Sequence, residues 1–280
     1  MRIGISTLID FSVPVETLLK KIKAVGFDLV AIGHSWTHFP YYDVKRCGEI
    51  ERLLESIDLP VDYVHGPIEK FFDLTNDSES VRASTAAIYR AAIDSCAILR
   101  APYLVVHATN ILKIPSADIA RRAENAVKPL AEIVEYGGEK GVGLCIENLP
   151  ANLPYQAVTE RILQAYPGDD LLVCFDSSHA NMEAHPLRFF STWSSRVRVL
   201  HLSDNSAGGV DEHLVPMKGT FPWAKFIRAL ADAGYPGSLS LENSDEGNDD
   251  FDGYLAESYA AADKLRSMWN AATKKAAASS

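Results

Sequence analysis

Short apolar runs rich in β-branched residues recur along the chain at residues 2–7, 28–33, 60–65, 103–107, 143–147, 171–176, 197–202 and 238–242. Between them, apolar residues fall at helical spacing, as in 15–25, 80–99, 119–140, 157–166 and 223–233. Gly26, Gly141 and Gly234 each follow such a stretch and precede a strand, which marks them as helix stops. The runs alternate little between apolar and polar, as parallel strands covered on both faces should. Strand then helix, eight times over, predicts a (β/α)8 TIM barrel. No Pro/Gly/Ser-rich linker interrupts it, so residues 1–272 are expected to form one domain, followed by a disordered tail at 273–280 of small and polar composition.

The polar residues that close these runs carry the chemistry. In this fold, active sites lie at the C-terminal ends of the strands. His65, His107, Glu147, Asp176, His201 and Glu242 stand at the ends of the third to eighth strands in turn. His179 extends the sixth, and Asp211 and His213 lie in the loop after the seventh. A polar residue closing a buried strand needs a strong partner. Any one of these histidines alone reads best as a satisfied core or capping residue. Nine groups at one end of one barrel point instead to a shared divalent metal, or several.

Carboxylates and imidazoles without thiolates suit Mn2+, Mg2+, Co2+, Zn2+ or Fe2+, with Mn2+ the leading choice. Glu147 and Glu242 occur as IEN and LEN on strands from different sides of the barrel, so the two carboxylates can face each other across the metal. Such a pair suits removal of a proton α to a carbonyl through a metal-stabilised enediolate. The blander alternative is two ligands with no role in proton transfer.

The loop after strand two, GHSWTHFPYYD, offers Trp36 and His38 as substrate contacts, with rings to pack on a sugar or stack on a base. Asn148 and Asp204, beside the strand-end ligands, join them as candidate substrate-binding residues. Cys174, Ser177 and Ser178 lack the base and orienting group of a nucleophilic triad. GGEKGVG at 137–143 precedes a strand instead of following one, so it is a helix stop and not a phosphate loop.

Composition narrows the partners. With 27 basic against 37 acidic residues, the net charge of −10 disfavours nucleic acid, although bound metal would supply local positive potential. Four unpaired-looking cysteines, Cys47, Cys96, Cys145 and Cys174, read as reduced core residues. No long apolar run suggests a membrane span, and the MRIGIST start reads as a strand, so a cytoplasmic protein is expected, monomeric or homo-oligomeric.

The motifs VHGP, VVH, IEN, FDSSHAN, HLSDN, DEHL and LEN together resemble the xylose isomerase-like TIM barrels, a superfamily that includes sugar isomerases and epimerases and the endonuclease IV group. For the sugar branch, the resemblance implies one divalent metal on Glu147, Asp176, His201 and Glu242. It also implies that Glu147 and Glu242 move the proton and that His179 helps bind a substrate oxygen. For the endonuclease IV branch it implies three zinc ions, drawing in His65, His107, His179, Asp211 and His213, and phosphodiester hydrolysis. FDSSHAN, together with HLSDN and KGTFPW, is similar to the sugar branch, which implies a carbohydrate substrate. Met217 departs from that branch, standing where a glycine turn is common. A non-catalytic sugar- or metal-binding barrel, or a lyase subunit needing a partner, is the third reading.

Overall fold

The computed structural model describes the chain apart from residues 36–37, 70, 110–113, 151–154, 245–248 and 280. Eight short strands form its centre: β1 (Ile3–Ser6), β2 (Leu29–Gly33), β3 (Val61–His65), β4 (Tyr103–Val106), β5 (Gly143–Glu147), β6 (Leu172–Asp176), β7 (Val197–His201) and β8 (Leu239–Leu241). They pair in the order β7-β6-β5-β4-β3-β2-β1-β8, and every pair is parallel. The ring closes between β7 and β8, where Leu202 N donates to Ser240 O at 2.9 Å and Glu242 N donates to Leu202 O at 3.1 Å. The expected (β/α)8 barrel is therefore the observed fold.

Helices α1 (Val15–Val25), α2 (Val44–Ser56), α3 (Glu79–Leu99), α4 (Ile119–Glu139) and α5 (Tyr155–Ala165) follow the first five strands. After β6 the chain departs from one long helix and makes two short ones, α6 (Ser177–Asn181) and α7 (Arg188–Trp193). The cause is local: the Asp176 carboxylate accepts His179 N at 2.7 Å, so the helix begins directly at the strand end. Helix α8 (Trp223–Asp232) precedes β8, and α9 (Phe251–Ser279) follows it. Helix α9 runs through most of the stretch expected as a tail, consistent with the helix propensity of its alanines.

The three predicted stops end their helices in the left-handed region, with φ of 114° at Gly26, 73° at Gly141 and 64° at Gly234. Met217 shares that conformation at φ 74°, so the turn adopts a glycine-like backbone without the glycine.

Alternation along the strands sorts the core into two layers. Val64, Leu104, Ile146, Phe175 and Leu200 pack outward into the helices, where Phe175 meets Phe226 at 5.0 Å and Phe190 at 5.6 Å between ring centroids. Truncating Phe175 to alanine would cost about 3–5 kcal/mol on this packing. Tyr63, Val105, Cys145, Cys174 and Val199 form a separate cluster inside the barrel. Each stands two residues before a strand-end polar group, and so carries that group on the same inward face. All four cysteines are buried and free. Among the described residues, no helix is long and apolar enough to cross a membrane.

Candidate metal centre

The strand ends bring the predicted ligands together. Glu147 is the hub: its Oε2 lies 3.0 Å from His107 Nε2, 3.3 Å from His65 Nε2 and 3.4 Å from His201 Nδ1, and its Oε1 lies 3.2 Å from His179 Nδ1. Across the mouth, Glu242 Oε2 stands 2.8 Å from His201 Nδ1. Ligand atoms of Glu147, Asp176, His201 and Glu242 all lie within 4.8 Å of one another. The same holds for His65, His107 and Glu147, and for His179, Asp211 and His213.

Three imidazoles are oriented from behind. His65 Nδ1 donates to Gly66 O at 2.8 Å, His179 Nδ1 to Asn148 O at 2.8 Å and His213 Nδ1 to Glu242 O at 2.8 Å. Each bond leaves Nε2 facing a carboxylate, the arrangement expected of metal-binding histidines. His179 Nε2 and His213 Nε2 both reach Asp211 Oδ2, at 2.9 and 3.0 Å, while Ser178 Oγ donates to Asp211 Oδ1.

Among the described residues, several buried atoms find no hydrogen-bond partner: Asp176 Oδ2, Glu242 Oε1 and both ring nitrogens of His201. His201 Nδ1 is near Glu242 but poorly aligned with it for hydrogen bonding. An unmade hydrogen bond costs about 1–3 kcal/mol for each buried group. Oxygen and nitrogen donors converging in this state fit a divalent cation of the Mn2+ or Zn2+ type.

The electrostatics agree with that fit. Burial alone would raise Glu147, but His201 and His107 outweigh it and hold the carboxyl well below its ordinary range. Glu242 is lowered in the same way, by His201 against burial. Burial pushes Asp176 up to about 6. Burial opposes the charge on His179, His201 and His213, yet neighbouring acidic groups raise all three, His213 to about 9. Imidazolium charge balances the carboxylates here, a task a cation would assume.

Four predicted substrate contacts fare differently. His38 does not join the cluster: it is buried, its Nε2 donates to Val13 O at 2.8 Å and its ring meets Phe11 edge-on. Trp36 lies outside the described residues. Asp204 is fully buried and its two oxygens accept from four donors, Asn205 N, Met217 N, Phe221 N and Trp223 Nε1. That correction has a plain cause: an oxygen pair so occupied anchors the 217–223 segment and has little left for a ligand. Asn148 is likewise committed, its amide accepting from Asp176 N at 2.7 Å and donating to Asp176 O at 2.9 Å. It straps β6 to β5 and holds Asp176 in place. Ser177 Oγ donates to Ser203 O, so no hydroxyl nucleophile is set up there.

Sequence reasoning missed His34 and Glu69. His34 follows β2 directly, its Nδ1 lies 3.2 Å from Phe39 O and its Nε2 lies 3.4 Å from Glu69 Oε1. The signal was available, since LVAIGH closes on a histidine as VDYVH does.

Comparison with known proteins places this geometry. The chain is 27% identical to an uncharacterised protein of Methanocaldococcus jannaschii, over 87% of this chain and 84% of that one. It is 25% identical to the fructoselysine 3-epimerase of Shigella flexneri, over 86% of this chain and 90% of the relative. The crystal structure of a D-tagatose 3-epimerase-like protein superposes with a TM-score of 0.82 at 24% identity, covering 99% of this chain and 100% of the other. Residues 19–268 match the family profile, and the chain belongs to the xylose isomerase-like TIM barrel family.

Proposed function

We propose that this protein is a sugar isomerase or epimerase that moves a proton at a carbon next to a ketose carbonyl. One observation carries the reading: two buried carboxylates, Glu147 from β5 and Glu242 after β8, converge on the His201 ring from different sides of the mouth. Support among relatives comes from the 3-epimerase activity named for the Shigella protein.

Glu147, Asp176, His201 and Glu242 would hold a divalent metal, with Mn2+ the first choice and Zn2+, Co2+ or Mg2+ the others. When bound, the ion polarises a substrate carbonyl and stabilises the charge left by proton removal. One glutamate takes the proton from one face of the sugar and the other returns it from the opposite face, which inverts the centre. Neighbouring imidazoles, acting against burial, keep both carboxyls ionised, the form a base needs. His179 and Asp211 act as a unit beside them, presenting a partly exposed carboxylate, with the imidazole behind it, to a substrate hydroxyl.

The test is incubation of the Mn2+-loaded protein in D2O with tagatose, psicose and fructoselysine. Deuterium at the inverted carbon, lost in Glu242→Gln, is the expected result. Full turnover by a folded, metal-loaded Glu242→Gln would end the two-carboxylate mechanism.

A second reading has its own observation. His179, Asp211 and His213 gather as closely as the four-residue set, and His65, His107 and Glu147 form a third group. Three metals of this kind suit phosphodiester hydrolysis by a metal-activated water. Metal content separates the readings: about three zinc ions per chain and cleavage of an abasic-site duplex favour the hydrolase, about one ion favours the isomerase.

A further inference from the structure

His201 is the odd imidazole of the site. His65, His179 and His213 are each tied by a backbone carbonyl, whereas neither nitrogen of fully buried His201 has a hydrogen-bond partner. Its ring stacks on Tyr63 at 5.1 Å between centroids. Beside it stands Cys174. In the β5–β6–β7 register Glu147 pairs with Cys174, while Asp176 pairs with His201. This stagger sets the Cys174 side chain level with Glu147 on the inner face of the barrel. Cys174 Sγ, a Glu147 oxygen and a His201 ring nitrogen lie within 4.8 Å of one another, and all three residues are buried.

We infer that Glu147, Cys174 and His201 form a second, thiolate-containing metal position that captures soft cations of the zinc and cadmium type. The inference rests on reading Glu147 and His201 as metal ligands. Thiolate favours soft ions, whereas Mn2+ and Mg2+ favour the carboxylate-rich set around Asp176 and Glu242. On capture the Cys174 thiol proton and the His201 imidazolium proton pass to solvent as metal–sulfur and metal–nitrogen bonds form, with no change of oxidation state. The two positions share Glu147 and His201, so they compete. Zinc drawn toward Cys174 removes Glu147 from proton transfer and inhibits the Mn2+-loaded protein.

X-ray absorption on the full-length, metal-free protein given one equivalent of Zn2+ tests this directly. A zinc–sulfur shell at about 2.3 Å, beside nitrogen and oxygen at about 2.0–2.2 Å, is expected. In competition titrations, Cys174→Ser weakens Zn2+ binding by about tenfold or more and leaves Mn2+ binding unchanged. Cys145→Ser, in the same inner cluster but in no ligand group, changes neither. Should Cys174→Ser fail to fold, the sulfur shell of the unmodified protein decides. A zinc shell of nitrogen and oxygen alone, with Mn2+ still bound, overturns this inference and spares the proposed function. Failure to bind Mn2+, Co2+, Mg2+ or Zn2+ at all overturns both.

Discussion

The two ends of the barrel treat buried polarity in opposite ways. At the N-terminal floor, Arg2, Asp62, Arg198, Tyr235 and Ser238 line a cavity of about 490 Å³. There Ser238 donates to Asp62, Arg198 donates to Ser195 O and Val197 O at 2.9 Å, and Tyr235 OH lies 3.1 Å from Arg198 O. At the C-terminal mouth, Asp176, His201 and Glu242 are buried with polar atoms unmatched. Most polar groups of the floor pair with one another or reach the surface. At the mouth the unmatched atoms converge instead, as the proposed metal site requires.

The sharpest way to break this contrast is to neutralise one carboxylate at each end. Glu147→Gln should lower kcat by about 10²–10⁴-fold in folded, metal-loaded protein, the range for loss of a general base. Asp62→Asn should leave kcat essentially unchanged while lowering stability, as read by urea unfolding alongside steady-state kinetics. Equal losses of turnover from both variants would dissolve the distinction.

Metal removal comes next. Chelation should lower the thermal midpoint, and restoring metal at 100 times its Kd should return about 2.7 kcal/mol per site. A floor-only role for the buried polar groups predicts no such shift in calorimetry.

The effect of pH sharpens the point. In metal-free protein His213 holds its proton up to about 9, against about 6.5 when unfolded. The folded state binds more protons between those values, so the stability this group contributes is full below about 6.5 and is lost as pH rises through about 9. His179 and His201 are raised and act in the same direction. Metal held by His201 requires that ring neutral, so loaded protein should lose the His201 share of this decline while His213 keeps its own, read from denaturation midpoints measured across pH. Metal affinity should also fall as pH drops below about 6, where Asp176 takes up its proton.

The smallest expected effect lies in the loop after β7. Met217→Gly removes a side chain from a left-handed backbone and should stabilise the protein by up to about 1 kcal/mol in urea unfolding, with turnover retained.

Much of the mouth was legible because strand ends are marked by sharp changes from apolar to polar. Glu147, Asp176 and His201 close β5, β6 and β7 where the pattern put them. Asp204 and Asn148 were misread because their neighbours in sequence say nothing of their partners. Asp204 meets Trp223 across 19 positions and Asn148 meets Asp176 across 28. His38 shares a loop with candidate contacts, yet its chain turns it toward Val13.

The order of strands and helices, the parallel barrel and the end at which ligands gather were determined by the sequence, because period, helix stops and strand-end polarity are local properties. Which of those polar groups remain unmatched, which are consumed as anchors, and that Cys174 sits level with Glu147 were decided only by the tertiary structure. Those facts depend on strand stagger and on contacts between distant segments, and no local pattern encodes them.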